Sequence, residues 1–208
     1  MTASNAVTVN PAQPSLDPAD ILVVFAMREE AGGLFDAGPS PVLYTGVGKV
    51  NSTYGLTRAL LQRRPRLVLD FGTVGSPRLP AHALVECTRF IQRDMDVSPL
   101  GLPRGTTPFD DLPAALDVPR RLPELLQAVC GSADHFVWGH DVGDCDVVEM
   151  EAYALAKVCR REGVDFMAVK YVTDGGDASA HVDWAANLPR AARAFRDAYE
   201  RLLAQRNP

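Results

Sequence analysis

The chain has 208 residues, of which 47% are hydrophobic and 23% charged, and its formal net charge is −5. This length and composition predict one globular domain, because roughly 100–200 residues per domain is usual. The acidic balance argues against a nucleic-acid-binding protein, which normally carries a basic stripe. No apolar run approaches the roughly 20 residues that a membrane helix needs, so we expect neither nucleic acid nor a membrane as a partner.

Residues 1–19 show neither the basic segment nor the apolar core of a signal peptide. We expect them to be a flexible tail in front of a single domain over 20–208, and we expect a cytoplasmic protein. The four cysteines form no C-x-x-C pair, and no histidine stands at a metal-binding spacing from them. This pattern predicts reduced, buried thiols and no metal site.

Short apolar, β-branched runs alternate with longer helical patterns from residue 20 onwards. The predicted strands are Ile21–Ala26, Val42–Thr45, Leu67–Phe71, Leu84–Ile91, His135–Trp138, Asp146–Val148 and Phe166–Val172. The predicted helices are Asn51–Arg63, Leu122–Val129, Glu149–Arg161, which ends before Gly163, and a C-terminal helix with an apolar stripe from Leu188 to Leu202. Strands that are apolar at consecutive positions are typically covered on both faces. The pattern therefore predicts an α/β fold, a three-layer α/β/α sandwich around a mostly parallel mixed sheet.

The segment Ser98–Pro119 contains five prolines and two glycines in a stretch with no periodic pattern. We predict a long irregular excursion here, and such loops in compact domains are usually functional or disordered.

Polar residues and glycines gather where predicted strands end, which is where sites form in open α/β sheets. Glu30 follows the first strand, Glu149 and Glu151 flank a strand-to-helix boundary, and Asp174 follows the last strand. Each has an ordinary alternative, because acidic residues favour helix starts and an Asp before glycines suits a turn. Burial of Asp174 in a cleft would raise its pKa.

Two glycine segments accompany these carboxylates, Thr45–Asn51 and Phe71–Ser76. Both are interpreted as turns after strands, and the first could offer backbone N–H groups to an anion or to sugar oxygens. Neither has the spacing of a P-loop or of a dinucleotide fingerprint, and we find no Ser-His-Asp order. What remains is a carboxylate-rich cleft, which is suited to glycosidic bond cleavage.

Taken in order, these motifs resemble the methylthioadenosine/S-adenosylhomocysteine nucleosidases of the nucleoside phosphorylase superfamily. The matching stretches are AMREE, TGVGKV, FGTVGS, RDMDVSPLG, ADHFV, VVEMEA and VTDGGD. The most specific part is V-E-M-E-A followed by a strand that ends in Thr-Asp. The resemblance implies a nucleoside phosphorylase-like fold, a purine nucleoside substrate, no cofactor, and a homodimer in which a partner loop borders the site.

The resemblance also implies roles for individual residues. Asp174 looks like the general acid that protonates N7 of the purine, and Glu30 looks like the base that activates water. The implied substrate-binding residues are Thr73 and Gly75 beside the sugar and water, Phe136 and Val137 at the base, and Glu149, Met150 and Glu151 at the ribose. Protonation of N7 makes the base a neutral leaving group, and general acid catalysis is typically worth about 10²–10⁴-fold.

One difference from the phosphorylases of the superfamily bears on the reaction, and departures from the nucleosidase family bear on the substrate. Asp70 stands where phosphorylases of the superfamily usually have a phosphate-binding Arg, and a carboxylate would repel phosphate. Lys170 replaces an Arg that is common before the catalytic Asp, and the stretch between Phe136 and Glu149 is short. We therefore predict hydrolysis of an adenine nucleoside to base and sugar, with an undetermined 5′ group. The alternatives are a phosphorylase and a non-catalytic nucleoside-binding protein, and the presence of Glu30 and Asp174 disfavours the latter.

Overall fold

The computed structural model describes residues 16–135, 142–174 and 180–205, with the backbone alone at 174 and 180–183. The strands are β1 (Ile21–Phe25), β2 (Val42–Tyr44), β3 (Leu67–Gly75), β4 (Leu84–Gln92), β5 (Ala115–Asp117), β6 (Leu126–Ser132), β7 (Val147–Glu149) and β8 (Asp165–Asp174). The α-helices are α1 (Arg28–Ala31), α2 (Lys49–Gln62), α3 (Ala152–Glu162) and α4 (Ala180–Ala204). Single 3₁₀ turns are formed by Pro18–Asp20 and Ser98–Leu100.

The strands form one mixed sheet that is mostly parallel. Parallel pairs join β1 to β2 and β3, β3 to β8, and β6 to β4 and β7, while β3–β7, β4–β5 and β4–β8 are antiparallel. The pairs β3–β8, β8–β4, β4–β6, β6–β7 and β7–β3 close a ring of five strands. The sheet is therefore open on the side of β1 and β2, while the five strands that include β8 form a closed ring.

Helices cover the sheet on both faces, and β1 is apolar and buried at every position. Along β1, Ile21, Val23 and Phe25 pack in a cluster with the stripe of α4, whereas Leu22 and Val24 pack in a second cluster with α2 and α3. Burying strands in this way on both faces is typical of α/β proteins. The predicted three-layer arrangement, with its mixed and mostly parallel sheet, is confirmed.

Most predicted elements exist with shifted ends. The helix predicted at Glu149–Arg161 begins at Ala152, since Glu149 pairs with Ser132 in the β6–β7 ladder. It ends as predicted at Gly163, whose φ of 64° is left-handed and whose N–H bonds the Cys159 carbonyl. The prediction of a turn at Phe71–Ser76 is wrong, because β3 continues through Gly75 beside β8.

The prediction of a helix at Leu122–Val129 is also wrong. Leu122 to Leu125 form a turn, whose first N–H donates to the Glu86 carboxylate at 2.8 Å, and strand β6 begins at Leu126. A spacing of three between two buried leucines suits a turn as well as a helix. The strand is favoured because it satisfies its backbone on both sides, against β4 and β7.

Two further predictions concern the neighbouring segments. His135, predicted as the start of a strand, lies in a bend after β6, and 136–138 fall outside the described residues. The excursion at Ser98–Pro119 is irregular over most of its length, but β5 lies within it and pairs with the edge of β4.

All four cysteines are buried and unpaired, as predicted. In the part of the chain that the structure describes, no helix combines the length and the apolar character needed to cross a membrane.

Candidate active site

A cleft of about 280 Å³ opens where β1, β3, β7 and β8 end. Six of the nine residues predicted for the site line it, namely Glu30, Thr73, Gly75, Glu149, Met150 and Glu151. Asp174 is the last residue of β8, which places its backbone at the same edge, while its side chain is not described. Phe136 and Val137 lie outside the described residues. The sheet thus brings together residues that the sequence separates by more than a hundred positions.

Glu30 is buried at the third position of the short helix α1, directly after β1. Its Oε1 accepts two hydrogen bonds, from the Thr73 backbone N–H at 2.9 Å and from the Thr73 hydroxyl at 2.8 Å. Its Oε2 accepts a longer bond from the Met27 N–H at 3.4 Å. Burial raises the pKa of Glu30, and the Thr73 bonds and the Lys170 charge oppose that rise. A raised pKa brings a carboxylate closer to the range of a general base at neutral pH.

The sugar-binding carboxylate predicted at Glu151 stands just before α3 and faces the glycine segment that precedes α2. Its Oε1 accepts the Gly48 N–H at 2.7 Å, and the next N–H, of Lys49, donates to Asp134 at 2.8 Å. The backbone N–H groups predicted to meet a ligand anion therefore bind the protein's own carboxylates. Burial and the nearby Glu149 charge raise the pKa of Glu151 to about 8, so this group loses its proton at higher pH than an ordinary carboxyl.

Glu149 is at the cleft wall, but its carboxylate is engaged internally. Its Oε2 accepts the N–H groups of Glu151 at 2.9 Å and Ala152 at 2.8 Å, and its Oε1 accepts the Ser132 hydroxyl. These bonds satisfy free N–H groups at the start of α3. Glu149 thereby fixes the backbone that carries Glu151, and its predicted contact with substrate stays a prediction.

A buried ion pair lies behind the cleft and was not anticipated from the sequence. Lys170 Nζ lies 2.8 Å from Asp70 Oδ2 and 3.6 Å from Glu149 Oε2, and the Lys170 side chain is only 2% exposed. Burial raises the pKa of Asp70 to about 6 although Lys170 opposes the rise. Asp70 does not line the cleft. The prediction that Asp70 repels phosphate is therefore revised. Asp70 instead forms an ion pair with the buried ammonium of Lys170.

Gly72 is the close neighbour that makes room for this ion pair. A Cβ at position 72 would lie 2.9 Å from Lys170 Nζ and 3.6 Å from Glu30 Oε1. Because Gly72 has no side chain, the Lys170 ammonium can lie beside the catalytic candidate Glu30.

Sequence reasoning missed Trp184, which lines the cleft from the first turns of α4. Its indole N–H donates to the Thr73 hydroxyl oxygen at 2.9 Å. The signal that could have found it is the apolar stripe of α4, because Trp184 precedes Leu188 by one turn and so extends the stripe beyond the core. Met27, Val47 and His135 also line the cleft and were not predicted.

The family of the chain follows from comparison with known proteins. The family model of the phosphorylase superfamily matches residues 31–204. The 5′-methylthioadenosine/S-adenosylhomocysteine nucleosidase of Haemophilus influenzae (strain PittEE) is 30% identical over 174 residues, which cover 73% of this chain and 75% of that protein.

Solved structures agree on the fold. That of the Helicobacter pylori 5′-methylthioadenosine/S-adenosylhomocysteine nucleosidase with butyl-thio-DADMe-Immucillin-A matches with a TM-score of 0.80 at 23% identity, over 89% of this chain and 97% of that one. Futalosine hydrolase of Helicobacter pylori matches with a TM-score of 0.79 at 24% identity, over 89% and 97%. The chain therefore belongs to the phosphorylase superfamily and, within it, to the 5′-methylthioadenosine/S-adenosylhomocysteine nucleosidase family, as its motifs predict.

Proposed function

We propose that this protein hydrolyses the N-glycosidic bond of an adenine nucleoside, releasing the free base and the sugar. The observation that carries the proposal is the unequal hydrogen bonding of the two carboxylate oxygens of Glu30. One oxygen of this buried carboxylate is held by two bonds from Thr73, and the other has a single long contact. A fixed carboxylate with one lightly bonded oxygen is suited to take a proton from water.

We assign the steps of the reaction to these groups as the family motifs imply. Water attacks the anomeric carbon as the glycosidic bond stretches, Glu30 takes the proton of that water, and Asp174 delivers a proton to N7 of the leaving purine. The sugar passes through a state of oxocarbenium character, whose positive charge nearby carboxylates stabilise. The role of Asp174 comes from the family motif and from the position of its backbone at the end of β8.

Substrate binding is assigned to the other residues predicted for the site. Glu151 binds the ribose hydroxyls; its carboxylate accepts hydrogen bonds from them, and its raised pKa allows the protonated form also to donate. Met150 packs beside the sugar, with Thr73 and Gly75 nearby. Phe136 stacks on the base and the Val137 backbone contacts its edge, both assignments resting on the family motif.

Water rather than phosphate is assigned as the nucleophile because the described lining of the cleft offers phosphate no cation. No Lys or Arg occurs among the described residues that line it. The neighbouring stretches 136–141 and 174–183 contain neither residue in the sequence. The buried Lys170 is engaged by Asp70 and Glu149. A phosphate dianion among these carboxylates would be repelled.

The proposed substrates are 5′-thio adenine nucleosides, the class that the names of the curated relatives carry. The test is incubation of the purified protein with methylthioadenosine, S-adenosylhomocysteine, adenosine, inosine and a futalosine-like nucleoside, with and without phosphate. We expect free adenine at a rate that phosphate does not change, and slower release from 6-oxopurines. A ribose 1-phosphate product that requires added phosphate would establish the alternative, a phosphorylase. Binding without turnover would establish a nucleoside-binding protein.

We also propose that the protein is a homodimer. Helix α2 exposes Val50, Tyr54 and Leu61 at helical spacing, and the loop after β4 exposes Leu100 and Phe109. Large apolar side chains exposed along one helix often belong to an interface, and a second copy of the chain would bury them. Sedimentation of the wild type and of Tyr54→Glu tests this, with a dimer expected for the first and monomers for the second. A monomeric wild type contradicts it.

A further inference from the structure

The start of α4 is connected to the catalytic candidate Glu30 by the side chain of Trp184, which bonds Thr73. Further along the helix, Phe195 and Tyr199 are buried in the core, which fixes the helix against the sheet. Closer to the cleft, Asn187 Nδ2 donates to the Thr173 carbonyl at 3.0 Å and ties α4 to the end of β8. Trp184 lies one turn earlier and is half-buried. Its position is therefore set by the packed part of the helix.

The direction of the hydrogen bonds follows from the chemistry of the indole. A tryptophan N–H is a donor and has no acceptor atom, so Thr73 Oγ1 accepts the bond from Trp184 at 2.9 Å. The single proton of the Thr73 hydroxyl then goes to Glu30 Oε1 at 2.8 Å. Three side chains from three different elements form one directed chain, from Trp184 to Thr73 to Glu30.

This chain makes the two oxygens of Glu30 unequal. Oε1 receives the hydroxyl proton and the backbone N–H of Thr73, while Oε2 has the 3.4 Å contact with the Met27 N–H. An oxygen that already accepts two good bonds is a poor place for a further proton, so the proton from water goes to Oε2. Loss of the indole donor frees the Thr73 hydroxyl to rotate and weakens this bias, while the Thr73 backbone N–H still donates to Oε1.

We propose that Trp184 is a positioning residue for Glu30, because its indole N–H fixes the Thr73 hydroxyl as a donor to Oε1 and leaves Oε2 as the proton acceptor. The proposal rests on the hydrolytic function proposed above. It assigns to Trp184 no contact with substrate, and its effect passes through Thr73.

The first test compares the wild type with Trp184→Phe, which keeps an aromatic ring and loses the donor. One hydrogen bond that acts through a neighbour is worth about 3- to 10-fold in kcat, with little change in KM. The acidic limb of the kcat/KM profile should move to higher pH, because the ionised form of Glu30 loses part of its support. Glu30 also faces Lys170 from β8, Asp70 from β3 and Glu151 before α3, and the substitution alters none of them.

Two controls separate the donor from the ring. Incorporation of β-(3-benzothienyl)alanine at position 184 replaces the N–H by sulfur at nearly constant shape and should reproduce the loss. In a Thr73→Val background, Trp184→Phe should have no further effect on kcat, because the relay is already broken. Wild-type activity of the benzothienyl protein, or an undiminished Trp184→Phe effect in the Thr73→Val background, overturns the proposal.

A measurement without substrate keeps this inference separate from the proposed function. Carbon-13 NMR titration of the Glu30 carboxyl carbon, assigned with Glu30→Gln, should show a higher pKa in Trp184→Phe than in the wild type. An unchanged titration overturns the relay whether or not a nucleoside is cleaved. A wild type that cleaves none of the nucleosides contradicts the proposed function, and the titration still decides the relay.

Discussion

Replacing Lys170 with methionine removes a buried ammonium and leaves two carboxylates, of Asp70 and Glu149, without the cation between them. Breaking a buried pair by deleting one partner typically costs about 3–5 kcal/mol. For a chain of this size each kcal/mol lowers Tm by about 2–4 °C, so Lys170→Met should melt about 6–20 °C below the wild type near pH 8. Methionine keeps most of the side-chain volume, so the loss measures charge rather than packing.

The loss of Tm in Lys170→Met should also depend on pH. The pKa of Asp70 is about 6 in the folded protein with Lys170 present, above its ordinary value, and it rises further without the ammonium. A carboxyl whose pKa is raised by folding binds more protons in the native state, so its destabilising effect falls as pH falls. The Tm difference between Lys170→Met and the wild type should therefore shrink between pH 8 and pH 5.

The matched control is Lys157→Met. Lys157 also pairs with an aspartate, Asp110, but it is partly exposed, and Asp110 keeps Arg161 as a second partner. We expect this variant to lose about 0–1 kcal/mol with little dependence on pH over the same range. Equal losses in the two variants, or a Lys170→Met loss that does not change from pH 8 to pH 5, would refute the account of the buried pair.

The remaining predictions concern the cleft. Glu30→Gln and Asp174→Asn should each lower kcat by about two orders of magnitude or more at unchanged Tm, because each removes a proton transfer made in the transition state; near wild-type kcat in both would remove the assigned roles. Glu151→Gln should raise KM as well as lower kcat, and the change in wild-type KM near pH 8, where Glu151 loses its proton, should be absent from this variant when KM is measured from pH 6 to pH 9. Gly72→Ala should cost about 1–3 kcal/mol of stability and lower kcat, because its Cβ would meet Lys170 Nζ beside Glu30; urea unfolding and turnover that match the wild type would contradict this.

The sequence carries the fold class and most of the site because both follow from local patterns. Strands that are apolar at consecutive positions predict a sheet covered on both faces. The ends of the strands predict the cleft that Glu30, Thr73 and Glu151 line. Strand β6 was missed because the leucines just before it have a helical spacing. The strand forms because it has hydrogen-bonded partner strands on both sides.

Other features depend on contacts between residues far apart in the chain. The Lys170–Asp70 pair joins two strands whose register no local pattern fixes. The Gly48 N–H was expected to face a ligand, but the distant Glu151 carboxylate takes it. Trp184 lines the cleft because α4 begins before its core stripe and continues to the cleft. Such contacts need the tertiary structure, since each partner alone has an ordinary alternative.

The central claim is that water is the nucleophile and that Glu30 activates it. It is tested most directly by running the reaction on methylthioadenosine in oxygen-18-labelled water with phosphate present, and by analysing the sugar product by mass spectrometry. We expect one labelled oxygen on the released sugar, no sugar phosphate, and a rate of label incorporation that falls with kcat in Glu30→Gln. Sugar 1-phosphate as the product, or labelled sugar formed by Glu30→Gln at the wild-type rate, would contradict it.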